Sequence, residues 1–167
     1  MLIREADLTT DLADVARLWL AHLTAVHAEF HARYGTPSNP QAVADRDLAT
    51  IDDYRPPAGT LVLAFDGSLA VGTGGLVRLG PGTAEIRRMY VSPDHRGQGL
   101  GRAILDVLID VAERSGYQRI LLDSPEFAVA AHALYRSRGF RDVERFPESD
   151  IPEAFLPHTV FMEKALR

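Results

Sequence analysis

The sequence predicts a mixed α/β (α+β) fold, and three observations carry that prediction. A strand-like run at residues 85–91 leads through a glycine turn, Arg96-Gly97-Gln98-Gly99-Leu100-Gly101, into an amphipathic helix. Before it, two strand patterns meet at Asp66-Gly67, a strong hairpin signal, so three antiparallel strands feed the glycine turn. After it, residues 119–123 form a near-continuous apolar run, as a buried strand should. The strand, helix, strand order implies a right-handed parallel crossover.

In chain order, residues 2–5 are a short strand candidate. Thr9, Thr10 and Asp11 offer an N-cap. Leu12, Val15, Trp19, Leu23, Val26 and Phe30 then recur every three or four residues, predicting one helix up to about Tyr34, where Gly35, Pro37 and Pro40 end it. A weaker helix covers about residues 41–53. Residues 60–65 and 69–79 are the hairpin strands, and Gly72, Gly74 and Gly75 in the second suggest a bulge or a close ligand. Pro93 stops the following strand because it has no N–H to donate. Leu100, Ile104, Leu108 and Val111 share one face of the next helix, with Gly116 where a helix-ending glycine belongs. A short helix at residues 128–138 is closed by Gly139 and Phe140. Residues 141–145 and 159–163 read as final strands. The loop between them, 146–157, carries Glu148, Asp150 and Glu153.

A length of 167 residues suits one domain spanning 1–167, long enough to bury a core. The chain has no cysteine, which excludes disulfides, thiolate metal sites and a cysteine nucleophile. No apolar run approaches membrane-spanning length and the N-terminus does not read as a signal peptide, so the expected location is cytoplasmic, with no membrane partner. A net charge of −5 argues against a sequence-independent grip on nucleic acid, which needs a basic face.

The glycine turn is the chemical centre of the sequence. The first N–H groups of a helix have no intrahelical partner, and the helix dipole favours an anion beyond them. Gly97, Gly99 and Gly101 let the backbone approach a ligand and adopt positive φ, while Arg96 and Arg102 add positive charge. The expected ligand carries phosphates. The dinucleotide fingerprint fails because its third glycine falls on Arg102, and the nucleotide P-loop fails because Gly101 is followed by Arg102-Ala103. The pattern Arg/Gln-x-x-Gly-x-Gly/Ala is matched by Arg96, Gly99 and Gly101.

This stretch resembles the acetyl-CoA pyrophosphate loop of the GNAT family of N-acetyltransferases. A second block, Ala131-His132-Ala133-Leu134-Tyr135-Arg136-Ser137-Arg138-Gly139-Phe140, resembles that family's Ala-x-x-Leu-Tyr-x-x-x-Gly-Phe helix. The resemblance implies a central mixed sheet splayed between its fourth and fifth strands and flanked by helices. Acetyl-CoA would be the cosubstrate, with no metal. Its pyrophosphate would rest on Arg96, Gly97, Gln98, Gly99, Leu100, Gly101 and Arg102, and its pantetheine arm would pair with backbone at Met89, Tyr90 and Val91. A backbone N–H near Val91 would support charge on the thioester oxygen. Many relatives carry Asn seven residues before the tyrosine. Here that position is Ala128, so a contact is absent or supplied by Ser124.

The implied reaction moves an acetyl group to a primary amine by direct attack in a ternary complex. The amine must first lose a proton, and the departing thiolate must gain one. Tyr135 falls where the family places its general acid, and its side chain is also a cofactor contact. Glu85 is the candidate base, or else a strand-end carboxylate paired with Arg87 or Arg88, since sequence does not show which way it points. His132 and the loop carboxylates are further candidates. The alternative function is a non-catalytic acyl-CoA-binding regulatory domain, since fold does not fix function. The acceptor, a small-molecule or peptide amine, is not named by the sequence. Asp45, Asp47, Asp52 and Asp53 hint at a cation or are an ordinary acidic surface. Family members are often homodimers, but no sequence feature decides that here. His27 and His31 lie one turn apart, as zinc ligands do, but Glu29 is misplaced for the metalloprotease motif and a helix face is the simpler reading.

Overall fold

The computed structural model describes residues 1–166. Seven strands form one sheet in the order β1-β2-β3-β4-β5-β7-β6. They are β1 (Leu2–Glu5), β2 (Thr60–Asp66), β3 (Leu69–Gly80), β4 (Thr83–Val91), β5 (Arg119–Pro125), β6 (Arg141–Val143) and β7 (Thr159–Ala165). The helices are α1 (Leu12–Tyr34), α2 (Pro40–Ala49), α3 (Leu100–Arg114) and α4 (Val129–Ser137). The helix predicted over 41–53 stops at Ala49 and continues only as a 3₁₀ turn at Ile51–Tyr54. The strand predicted over 141–145 is three residues long.

Alternation along β2 separates two cores. Val62 and Ala64 face α3, packing with Ile104, Leu105 and Leu108. Leu61, Leu63 and Phe65 face α1, packing with Val15, Leu18 and Trp19. Both faces are covered, so β2 reads as unbroken hydrophobicity rather than alternation. Each fully buried leucine of this kind contributes roughly 1.5–3 kcal/mol relative to exposure. A third cluster, Leu121, Phe146 and Phe161, holds the chain after β6 against the sheet.

The predicted caps fare unequally. Gly35 ends α1 in the left-handed region at φ 67°, and its N–H reaches the His31 carbonyl at 2.8 Å. At the other end Asp11 makes no side-chain cap. Its carboxylate instead takes Arg4 at 2.6 and 3.0 Å and the Asp7 N–H at 2.8 Å, tying β1 to α1. Gly139, at φ 86°, closes α4 as expected, and the Phe140 N–H donates to the Tyr135 carbonyl at 3.2 Å. Arg138 forks onto Asp106 at 2.7 and 2.8 Å, fixing α4 against α3.

The glycines of β3 serve packing. A Cβ on Gly74 would lie 2.6 Å from Met89 Sδ and 2.7 Å from Ile104 Cγ2, and one on Gly75 would lie 2.3 Å from Tyr54 Cε1. β3 carries the expected extra residue against β2, where Ala64 pairs with Gly72 and Phe65 with Ala70 so that Val71 is unopposed, and β4 carries another against β3. Thr73 pairs with Tyr90 and Gly75 with Arg87, so Gly74 alone opposes Arg88 and Met89. Arg88 takes φ 55°, a left-handed conformation unusual for a side chain of its size. This bulge shifts the face of every later side chain by one. Met89 and Val91 therefore join Ile86 on the α3 side, while Tyr90 packs toward α1.

Candidate active site

β4 and β5 run parallel but pair only from Thr83 to Glu85 against Arg119 to Leu121. Beyond that point they separate, and residues 86–91 have no strand partner on the β5 side. A cavity of about 370 Å³ occupies the opening. β4 contributes Glu85, Arg87, Arg88 and Met89 to its lining, β5 contributes Asp123 and Ser124, and α4 contributes Ala131 and Tyr135. α1 adds His22, Val26, His27 and Phe30, and the chain after β6 adds Asp150, Ile151 and Phe155.

Glu85 sits at the floor, 2% exposed. Arg87 Nε donates to it at 2.5 Å, and Asp123 lines the same cavity, close enough for its charge to act on Glu85. Burial pushes the Glu85 carboxyl up to about 7, against the opposing pull of Arg87 and with a further push from Asp123. Burial also raises Asp123. Glu85 and the half-buried Asp123 share their titration, so the value belongs to the pair. Neither is the exposed strand-end group that sequence left open for Glu85, although its predicted partner Arg87 is present.

Tyr135 lines the same cavity with its ring buried. Burial raises its phenol above the ordinary range, so it holds its proton at neutral pH. Ser124 is buried on β5 beside Asp123 and faces the cavity. Ala128 occupies the N-cap of α4 and makes no side-chain cap, so the polar contact an asparagine could make there is missing. His22, which the sequence did not single out, packs against Tyr90 with ring centroids 5.5 Å apart and planes tilted at 52°. Burial, aided by Arg88, drives its imidazole down to about 3, so it stays neutral. Its signal was a polar residue inside the α1 stripe that includes Val26 and Phe30.

The glycine loop abuts the far end of β4. Gly97 and Gly99 take φ 74° and 82°, and Gly99 is the N-cap of α3. Among the described residues no backbone carbonyl takes the N–H groups of residues 97–102. Six consecutive free donors at a helix start form a cradle suited to a pyrophosphate. Leu100 and Gly101 supply two of them from the first turn of α3. Gly101 does not need positive φ, contrary to expectation. A Cβ there would meet Leu134 at 3.5 Å and Val91 at 3.9 Å, ordinary contact distances. Arg102 is exposed beside this turn. Arg96 has a structural task too, since its Nε donates to the Val91 carbonyl at 3.0 Å and its guanidinium lies over Tyr90.

Of the four acidic residues that hinted at a cation, Asp47 and Asp52 have cationic partners, Asp45 has a neutral one, and Asp53 is exposed. Asp47 pairs with Arg88, Asp52 with Arg55 at 2.5 Å, and Asp45 accepts from Gln41 at 2.7 Å. His27 packs on Phe155 while His31 is exposed, and no group of three or more potential metal-ligating residues occurs among the described residues.

A family model described as the acetyltransferase (GNAT) family matches residues 23–140. The chain belongs to the GNAT acetyltransferase family. An N-acetyltransferase of Schizosaccharomyces pombe is 32% identical over 130 residues, covering 74% of this chain and 77% of that protein. An IAA acetyltransferase of Azospirillum brasilense is 35% identical over 126 residues, covering 75% and 73%. Among solved structures, YncA of Salmonella typhimurium, determined with its cofactor acetyl-CoA, aligns with a TM-score of 0.74 at 25% identity, covering 100% of this chain and 94% of that one. The GNAT chain is thus an acetyl-CoA-dependent N-acetyltransferase with the splayed sheet the family resemblance implied, and a purely non-catalytic binder is not favoured. No helix among its described residues is long and apolar enough to cross a membrane.

Proposed function

We propose that this GNAT enzyme acetylates a primary amine held in the β4–β5 cavity, with Glu85 and Tyr135 as its proton-handling groups. The observation that carries the reading is their convergence: the buried Glu85 carboxyl, with Asp123 beside it, and a buried, protonated phenol line one cavity where two parallel strands part. Bound acetyl-CoA supplies the acetyl thioester, whose carbon bonds to the amine nitrogen as its bond to sulfur breaks. Glu85 receives the proton that the ammonium must lose, and its shared titration with Asp123 near neutrality suits that task. Tyr135 donates its phenolic proton to the sulfur. Asp123 and Arg87 position Glu85 and set its proton affinity. The cradle at residues 97–102 grips the pyrophosphate, and the unpaired β4 edge at 86–91 offers backbone groups to the pantetheine arm, as exposed edges do. Ser124 contacts the cofactor near the cavity floor. We treat residues 1–167 as one such domain, because a single sheet collects strands from both ends of the chain.

Calorimetric titration of acetyl-CoA into the protein tests the cofactor half, with Gly99→Glu as control. The wild type should bind at roughly micromolar strength, and a folded Gly99→Glu variant should not. No binding up to millimolar acetyl-CoA would refute the assignment of the cradle.

A further inference from the structure

We infer that the acceptor is a primary monoamine with an aryl-sized apolar body, selected by a wall of Phe30, Phe127 and Phe155, a selection that presupposes acetyl transfer at Glu85. The three rings come from separate segments: α1, the turn before α4 and the chain after β6. Phe30 meets Phe127 with centroids 5.1 Å apart at 70° and Phe155 at 4.8 Å and 80°. Both are edge-to-face arrangements that hold their partners in place. Phe30 is buried, whereas Phe127 and Phe155 keep exposed surface, and all three line the cavity.

The wall is braced from behind. Tyr34 Oη donates to Glu126 at 2.5 Å, His158 Nδ1 lies 2.9 Å from the same carboxylate, and the Tyr34 and His158 rings stack 3.5 Å apart. These contacts lock the end of α1 to the residues flanking Phe127 and Phe155. Apolar surface kept open in a preformed concave wall is surface that an apolar ligand covers favourably.

Charge in the same cavity opposes the other common amines. A polyamine or aminoglycoside brings several ammonium groups and needs several unpaired carboxylates. Here Glu85 already faces Arg87, Asp47 already faces Arg88, and Arg46 adds a third guanidinium to the lining. Asp150, also in the lining, faces Arg87 at 3.7 Å, so three guanidinium groups set against Asp47, Glu85, Asp123 and Asp150 leave charge for one ammonium and disfavour a second.

The test compares initial rates of acetylation of phenethylamine, L-phenylalanine, spermidine, kanamycin and a lysine peptide by the wild-type protein. At least one of the two aryl acceptors should exceed the other three in kcat/KM by roughly tenfold or more. Phe127→Ser and Phe155→Ser should each raise KM for that acceptor by about tenfold, with the corresponding Leu variants in between and the Kd for acetyl-CoA unchanged within about twofold. Preference for spermidine, kanamycin or the lysine peptide overturns the assignment, as does failure to acetylate either aryl amine by a protein that binds acetyl-CoA. Absence of acetyl-CoA binding is a different failure, because it removes the acetyl-transfer reading itself.

Discussion

Replacing Glu85 by Gln removes the proposed proton acceptor while keeping its size and its capacity to bond Arg87. Burial pushes the wild-type carboxyl up to about 7. If the Glu85–Asp123 pair ionises in one step near 7, the basic form is about one-eleventh of the total at pH 6 and ten-elevenths at pH 8, so kcat at saturating acceptor should rise roughly tenfold across that range. Activity is lost as pH falls through about 7, because the protonated acid cannot take the ammonium proton. In Glu85→Gln this limb should vanish and kcat at pH 8 should fall by roughly 10²–10⁴. Release of free thiol from acetyl-CoA, followed from pH 5.5 to 9, reads both quantities. Asp123→Asn supplies a second arm: removing a neighbouring negative charge should move the midpoint to lower pH. Stability carries the same sign. A carboxyl held above its ordinary 4.5 destabilises the fold as it ionises, with no effect below about 4.5 and a full cost on the order of 3 kcal/mol above about 7. The melting temperature of Glu85→Gln relative to wild type should therefore improve between pH 5 and pH 8. A Gln variant that kept wild-type kcat and the same midpoint would refute Glu85 as the base.

Tyr135→Phe keeps the buried ring and removes only the hydroxyl that faces the cavity, so it should lower kcat well over about tenfold while changing stability by under roughly 0.5 kcal/mol, measured by thiol release and urea unfolding. Gly101 has helical backbone and room for a methyl, whereas Gly99 sits at φ 82°. Gly101→Ala should leave the calorimetric Kd for acetyl-CoA within about twofold, and Gly99→Ala should strain the cradle by roughly 1–2 kcal/mol and weaken binding about tenfold. A methyl at Gly75 would overlap Tyr54, whose ring is buried and packed on Trp19 5.2 Å away. Gly75→Ala should cost about 1–3 kcal/mol, seen as a lower melting temperature.

The parts legible beforehand are those whose cause is local. The 3.6-residue recurrence of α1 gives its end at Tyr34, the glycine at 139 stops α4, and Asp66-Gly67 turns the hairpin, because each depends on a few adjacent residues. The cradle was legible for the same reason: a helix N-terminus preceded by glycines has free N–H groups wherever it occurs. Local pattern also misleads. Period-two alternation would put Arg88 and Tyr90 on the face of Ile86, and one extra residue at the bulge sends Tyr90 to the other side.

Sequence by itself therefore determined the order of the elements, the anion-binding loop and the family, since helix period, turn chemistry and motif spacing are written along the chain. Tertiary structure alone decided the site's chemistry. The register of β4 on β5, Glu85 against Leu121, brings Asp123 beside Glu85, and burial then lifts the carboxyl toward neutrality. The wall of Phe30, Phe127 and Phe155 likewise exists only once three distant segments meet. Desolvation and charge coupling depend on distance through space, and no spacing along the chain encodes that distance.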